Sequence, residues 1–520
     1  MKELSQKGKK AVKISLIVIA SMLVLCILGI AIYSLVAFAP LRLNIDLAEE
    51  KQTISGFGAS SAWIYQDLGK AEHEEQADEA LEMLYGDSGL ELSIFRYNIG
   101  GGSADASLDD VWPYNNPSFD KLRRAESFFV AENYSEPSDF LDESNYDFER
   151  DAAVRGMFEK ALALGNIEKV VFFSNSPHYL MTHSGVCTGS EEYQNNLKEE
   201  FYEEYSWYLL IITNHLYETY LKDLPSVPEV WISPVNEPQW KWGGEGSSQE
   251  GCHYDPEVLA AFYDVFYEQL QKFNAEKGTS FKLDAFESGN YLYYLDYDIR
   301  DYLDEISKYD YFAELDEISV HAYGANDSKY DRKRFARFMD KNYPDLKIAS
   351  SEFCEMEWGE FNTIESGMFL AKVILRDLTM IDAVEWSWWL SVAKGGYNDG
   401  LVYWNEESGD VYVLKRYYTF AQISKFLDSG DKRVEAKLSD TAGWAGVDAG
   451  VFVKPDGSVV AIFINDGKEK SLKLNGLDAF VGSTAQVTFT TQAENLAEDS
   501  FTFEGGITLR ENSVTTLVLQ

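Results

Sequence analysis

The chain has little cysteine, little histidine and a marked shortage of basic residues. Its 520 residues include 4 Cys and 6 His, and Cys26 sits inside an apolar segment. So few cysteines exclude a disulfide scaffold. Cys187 and Cys252 both fall in polar, Gly-containing stretches, and spacing alone leaves open whether they pair, in which case Cys354 stays free. No Cys/His cluster has zinc-ligand spacing and no EF-hand loop is present, so neither a metal nor another cofactor is expected. No G-x-G-x-x-G follows a strand and opens a helix, which removes the usual dinucleotide signature. The Gly-rich "YNIGGGS" (97–103) lacks the Lys-Ser/Thr of a phosphate loop and reads as a close-fitting loop at a cavity rim. Lys and Arg number 45 against 86 Asp and Glu, a formal charge of 45 − 86 = −41. Such a surface repels polyanions, and nucleic acid is not an expected partner. Nothing in the sequence bears on oligomeric state.

One long uncharged run is present, "ISLIVIASMLVLCILGIAIYSLVAFA", residues 14–39, preceded by Lys7, Lys9, Lys10 and Lys13 in a short basic flank, residues 1–13. It exceeds the roughly 20 residues needed to cross the hydrocarbon layer. The basic flank predicts a cytoplasmic N-terminus and an exterior bulk, so the run reads as a single-pass signal-anchor in the cell membrane. The alternative is a cleaved signal peptide and a secreted protein, since Ala37-Phe38-Ala39 resembles an A-x-A site.

From residue 55 to about 425, short β-branched or aromatic runs alternate with longer helical patterns. Eight strand candidates emerge: "ISGFGAS" (54–60), "LSIFRYNI" (92–99), "KVVFFSNS" (169–176), "EVWISPVN" (229–236), "KLDAFES" (282–288), "EISVHAY" (317–323), "KIASSEF" (347–353) and "AVEWSWWL" (383–390). Eight strand-helix units imply an α/β fold, a closed (β/α)₈ or TIM barrel, with a doubly wound open sheet as the runner-up. Residues 426–520 alternate apolar and polar residues between turn signals and are expected to form an antiparallel β-sandwich. The strand-like residues 40–54 are expected to join it.

In such a barrel the reactive groups stand where strands end. Those ends present Arg96 and Asn98, Asn175, Asn236 and Glu237, Glu287, His321 and Tyr323, Glu352, and Trp386 with Trp388 and Trp389. Glu237 and Glu352, on the fourth and seventh strands, face each other across the barrel. Two opposed carboxyls are what a retaining glycosidase requires, one to protonate the leaving oxygen and one to attack the anomeric carbon. Asn236 is placed to reach the sugar 2-hydroxyl, Tyr323 and Arg96 to hydrogen-bond Glu352 and keep it ionised. His321 reads as a packed supporting group more than as a proton shuttle. Glu355 and Glu357 fall past the strand end and read as loop carboxylates. Trp63, Trp242, Trp386 and Trp388 are candidate sugar platforms if a cleft exposes them, and core residues if it does not.

"GFGASSAW" (56–63), "FRYNIGGGS" (95–103), "FFSNSPHYLMT" (172–182), "SPVNEPQW" (233–240), "SVHAY" (319–323), "IASSEF" (348–353), "VEWSWW" (384–389) and "YYTFAQISKFL" (417–427) resemble, in order, the motifs of glycoside hydrolase family 30. The resemblance implies Glu237 as acid/base, Glu352 as nucleophile, and a barrel joined to a β-sandwich built from both ends of the catalytic region. Arg96, Asn98, Asn175, Asn236, His321 and Tyr323 become expected substrate-binding residues, with Trp63, Trp242, Trp386 and Trp388. The chain departs from the family at "NSPHYLM", where His178 and Leu180 replace Pro and Trp. Within the family it looks most similar to endo-β-1,6-galactanases, which implies a polysaccharide or oligosaccharide partner. Other family activities, on β-1,6-glucan, glucuronoxylan or terminal xylosyl and glucosyl groups, and a surface glycan-binding protein without turnover, are the alternatives.

Overall fold

The computed structural model describes residue 18 and residues 21–24, 41–190, 192, 194–244, 246–292, 297–439, 443 and 445–520. The apolar run at 14–39 falls almost wholly outside these. Among the described residues no helix is long and apolar enough to cross a membrane.

After β1 (Leu41–Thr53) the chain enters a parallel sheet of β2 (Gly56–Ser60), β3 (Ile94–Asn98), β4 (Lys169–Phe173), β5 (Glu229–Ser233), β6 (Lys282–Leu283), β7 (Ala285–Ser288), β8 (Glu317–His321), β9 (Lys347–Glu352) and β10 (Glu385–Lys394). β2 pairs with both β3 and β10, and the order runs β6-β5-β4-β3-β2-β10-β9-β8-β7. β6 and β7 are two halves of one strand interrupted at Asp284, β6 pairing with β5 and β7 with β8. An isolated bridge from Asn236 to Glu287 links the β5 side to β7, so the ring of eight strand positions is nearly closed. β11 (Gly400–Trp404) and β12 (Val411–Val413) extend the edge beside β10.

Each strand position is followed by a helix, for reasons written locally. Asp255 precedes Pro256 at the first turn of Pro256–Lys277, and that helix stops at Gly278, whose φ of 72° suits only a residue without Cβ. Ser328 and Thr363 cap the helices Lys329–Asn342 and Ile364–Met380. β3 and β4 are buried at every position, as strands covered on both faces must be.

The remaining strands, β13 (Lys432–Leu438), β14 (Val447–Val453), β15 (Val459–Asn465), β16 (Lys470–Asn475), β17 (Thr484–Thr490), β18 (Ala497–Thr502), β19 (Gly506–Leu509) and β20 (Ser513–Leu519), form with β1 one continuous sheet, β18-β17-β20-β15-β14-β13-β1-β16-β19. The sandwich expected from the sequence is thus a single sheet, curled about a core that includes Leu43, Val451, Phe463, Leu474 and Leu517. It is not wholly antiparallel, because β1 runs parallel to β16 while antiparallel to β13. β1 must deliver the chain to β2, and that fixes its direction. Charged contacts tie the sheet to the barrel: Arg376 Nη2 lies 2.6 Å from Asp448 and Lys329 Nζ 2.5 Å from the same carboxylate. Cys187 and Cys252 are buried free thiols, not a disulfide.

Candidate active site

Glu237 and Glu352 meet at the C-terminal end of the barrel. Each offers an oxygen to a group of three ligand atoms, with a nitrogen of His321, that all lie within 4.8 Å of one another. Glu352 ends β9, while Glu237 follows β5 with φ of 47°, a left-handed conformation that a residue before proline seldom adopts. The strain is held by three hydrogen bonds. The Glu237 amide donates to Glu287 O at 2.8 Å, and its carbonyl accepts from Trp240 N at 3.2 Å and from the Trp242 indole at 3.0 Å. Gly289 completes the seat, since a Cβ there would stand 2.3 Å from Trp240 Nε1 and 2.7 Å from Glu237 Oε1.

Beneath the pair lies a third carboxylate. Glu287, wholly buried at the end of β7, accepts from Arg96 Nη2 at 2.8 Å, from Ser233 Oγ at 3.2 Å and from Ser351 Oγ. His321 spans the group, Nδ1 lying 3.0 Å from Glu237 Oε1 and 3.6 Å from Glu352 Oε1, and Nε2 2.8 Å from Glu287 Oε2. Arg96 Nη1 and Tyr323 OH each reach a Glu352 oxygen at 3.2 Å. Burial opposes a charge on Glu287, but Arg96 and His321 hold it far below the usual carboxylate range. Burial also opposes charge on His321, yet Glu352, Glu237 and Glu287 push it up to about 10. Glu352 differs from expectation: burial holds it above the ordinary glutamate range, against the pull of His321 and Arg96 and with the repulsion of Glu237 and Glu287. Glu237, His321 and Glu352 are close enough to ligate a cation, but the imidazole is held protonated and Glu352 already accepts from Arg96 and Tyr323, so the cluster satisfies itself through hydrogen bonds.

The pair opens into a cleft of about 790 Å³ walled by Trp63, Trp240, Trp242, Tyr323 and Trp389 among others. Asn236 also lines it, and its buried Oδ1 has no hydrogen-bond partner among the described residues. Asn98 and Asn175 are buried nearby, joined at 3.4 Å, and Asn175 Oδ1 is likewise unpartnered. Trp386 and Trp388 do not face the cleft. Both are fully buried, Trp386 donating to Asp377 of the helix Ile364–Met380 at 3.0 Å and Trp388 to the Asp399 carbonyl at 2.5 Å. Strand alternation turns Trp389 the other way, edge-on to Trp63 at 5.3 Å between ring centroids. His178 is fully buried among Phe129, Phe140 and Tyr208, and burial pushes it down to about 3, so it is a packed neutral ring.

Sequence reasoning gave no role to Glu287, although its place at a strand end was a usable signal. Arg123, from the long segment between β3 and the helix Ala152–Ala163, and Tyr397 and Asp399, from the short connection between β10 and β11, also line the cleft and carried no signal at all. Glu355 is more than a solvated loop carboxylate. It accepts from Ser366 Oγ at 2.9 Å and Asn398 Nδ2 at 2.6 Å, fastening the loop after β10.

Comparison with known proteins places this geometry in a family. The description O-Glycosyl hydrolase family 30 matches residues 40–403. An endo-β-1,6-galactanase of Hypocrea rufa is 25% identical over 423 residues, 78% of this chain and 79% of that protein. A conserved exported protein from Bacteroides fragilis superposes with a TM-score of 0.75 at 23% identity, over 92% of this chain and 100% of the other. The catalytic domain of the GH30 xylanase C from Talaromyces cellulolyticus does so with a TM-score of 0.69 at 17% identity, over the same shares.

Proposed function

The chain belongs to glycoside hydrolase family 30 and is a glycosidase, and from that premise we propose that it cleaves a β-linked glycan by double displacement, with Glu352 as nucleophile and Glu237 as acid/base. The observation that carries this reading is the approach of the two carboxyls to within 4.8 Å. Retaining enzymes hold theirs about 5 Å apart, whereas inverting ones need roughly 6.5–9.5 Å to admit a water.

Glu352 attacks the anomeric carbon while Glu237 gives its proton to the departing oxygen. Arg96 and Tyr323 orient the attacking carboxylate. The resulting glycosyl ester is then hydrolysed by a water from which Glu237 removes a proton, restoring both groups. The unpartnered Oδ1 of Asn236 is free to accept from the sugar 2-hydroxyl, a bond that tightens as the oxocarbenium-like transition state forms.

β-1,6-Galactan cleaved internally is the proposed substrate and mode. The named fungal relative, aligned over 78% of the chain, supports it. We place the catalytic part outside the cell, held there by the apolar run at 14–39. The test is product analysis on β-1,6-galactan, β-1,6-glucan and glucuronoxylan, with proton NMR of the first anomer released. Oligosaccharides from β-1,6-galactan with the β-anomer appearing first are expected; an α-anomer first would overturn the mechanism, and cleavage of another polymer alone would overturn the substrate.

A further inference from the structure

Two opposite charges face the cleft without pairing with each other. Arg123, half-buried, lies with its guanidinium 4.7 Å above the Trp63 ring and spends one nitrogen, Nη1, on Ser248 Oγ at 3.1 Å. Among the described residues it forms no ion pair within 4 Å, in a chain with 86 acidic side chains. The carboxylate of Asp399, also half-buried, accepts no hydrogen bond from any other described side chain. Burial pushes it up to about 6, and the charge of Arg123 is among those that pull it back. The two are near enough to feel each other and too far apart to neutralise each other.

Their supports are rigid. The carbonyl of Asp399 is held by the Trp388 indole, and its neighbour Asn398, fully buried, is bonded to Glu355 Oε2 at 2.6 Å and to the Glu357 carbonyl at 2.9 Å. Trp63, beneath Arg123, stands edge-on to Trp389 at 84°. The packing sets the two indoles at right angles, the Trp63 ring covered by the Arg123 guanidinium, with a fixed donor and a fixed acceptor at the same cleft wall. A protein does not leave a carboxylate and a guanidinium apart in a partly dry wall without cost, because each forfeits hydration that the other would have replaced.

We infer that Asp399 and Arg123, in the cleft wall beside Trp389, form a sugar subsite that reads the hydroxyls of a neutral hexosyl unit of the substrate. This deepens the glycosidase reading and rests on it. A pyranose offers an apolar C–H face to an indole such as Trp389 and a rim of hydroxyls that both donate and accept. Asp399 accepts from adjacent hydroxyls and Arg123 donates to a hydroxyl or ring oxygen, so one polyol satisfies both charges. The Arg123–Asp399 pair is neutral in sum. A uronate would gain from Arg123 and lose to Asp399, and it is disfavoured.

The experiment measures calorimetric binding to Glu352→Ala protein, which keeps the cleft without turnover, using β-1,6-galacto-, β-1,6-gluco- and β-1,4-xylo-oligosaccharides and a glucuronate-capped galacto-oligosaccharide. Asp399→Ala and Arg123→Gln are added singly to that background; the Trp388 bond uses the Asp399 carbonyl and survives the first. Each is expected to weaken a neutral hexose ligand roughly ten- to hundredfold, the worth of a hydrogen bond to a charged group, with an unchanged unfolding temperature. Unchanged affinity in both variants, tighter binding of the uronate than of its neutral parent, or no binding of any neutral hexo-oligosaccharide overturns the subsite. Should the glucose series bind in place of the galactose series and still lose affinity in the variants, the subsite stands and the proposed substrate falls.

Discussion

His321 Nδ1 stands 3.0 Å from Glu237 Oε1, and this contact joins the proposed acid/base to a buried charge cluster. Arg96 and His321 supply two positive charges against the carboxyls of Glu237, Glu287 and Glu352, a sum of 2 − 3 = −1. The cluster reaches neutrality when one carboxyl facing the cleft holds a proton. That is the state from which the proposed double displacement would begin, and Glu287 joins Glu352 and Glu237 in holding the imidazolium in place.

Removal of either carboxyl separates the two steps. Glu352→Ala is expected to lower turnover by roughly three or more orders of magnitude with the fold intact. Glu237→Gln should fail most on aryl glycosides with basic leaving groups and regain rate with a small external nucleophile such as azide, giving the retained adduct. Undiminished hydrolysis by Glu352→Ala would end the assignment.

The acid limb of kcat/KM reports Glu352, which must be ionised to attack. Its affinity for a proton already lies above that of an ordinary glutamate through burial, and Arg96 opposes this. Loss of the guanidinium in Arg96→Gln therefore moves the limb to higher pH, by about one unit or more, along with a fall in stability. A limb that stays in place, measured on the folded fraction, contradicts the wiring.

Glu250 links fold stability to pH. It is buried, accepts from Gly101 N at 3.0 Å, Ser103 N at 3.2 Å and Ser103 Oγ at 2.5 Å, and is pushed up to about 7 by burial against those bonds. A carboxyl raised in the folded state contributes stability that is fully present below its unfolded value and lost as pH rises through the folded one. Unfolding temperature should fall between about pH 5 and about pH 7, and Glu250→Gln should flatten that slope. An unaltered slope in thermal melts would remove Glu250 from the account.

Trp358 is 84% exposed and packs edge-on against Tyr397, which lines the cleft. Such a ring on the rim suits a distant sugar of a long chain. Trp358→Ala should raise KM for polymer several-fold, about 1 kcal/mol, while leaving short oligosaccharides unaffected. Equal loss on both would place its role elsewhere.

Much of the barrel was legible because strand period and helix period differ, and because buried parallel strands such as "KVVFF" are apolar throughout. The positions of Glu237 and Glu352 were legible because each follows or ends an apolar strand-like run, and groups at such ends gather at one face of a barrel. The tryptophans show where that reading stops. Trp386, Trp388 and Trp389 are adjacent in sequence, and alternation says only that the first two share a face. Which face looked into the cleft was set by the packing of Trp386 on Asp377 and of Trp388 on Asp399, partners contributed by other segments.

By itself the sequence determined the alternation of strands and helices, the acidic surface and the identity of the two opposed carboxyls, since these follow from local periodicity and from residue chemistry. The tertiary structure alone decided the single curled sheet, the left-handed seat of Glu237, the free state of Cys187 and Cys252, and the placing of Arg123 and Asp399 on one cleft wall. Each depends on distances between segments far apart in the chain. Those distances are fixed by barrel closure and by hydrogen bonds that no local pattern encodes.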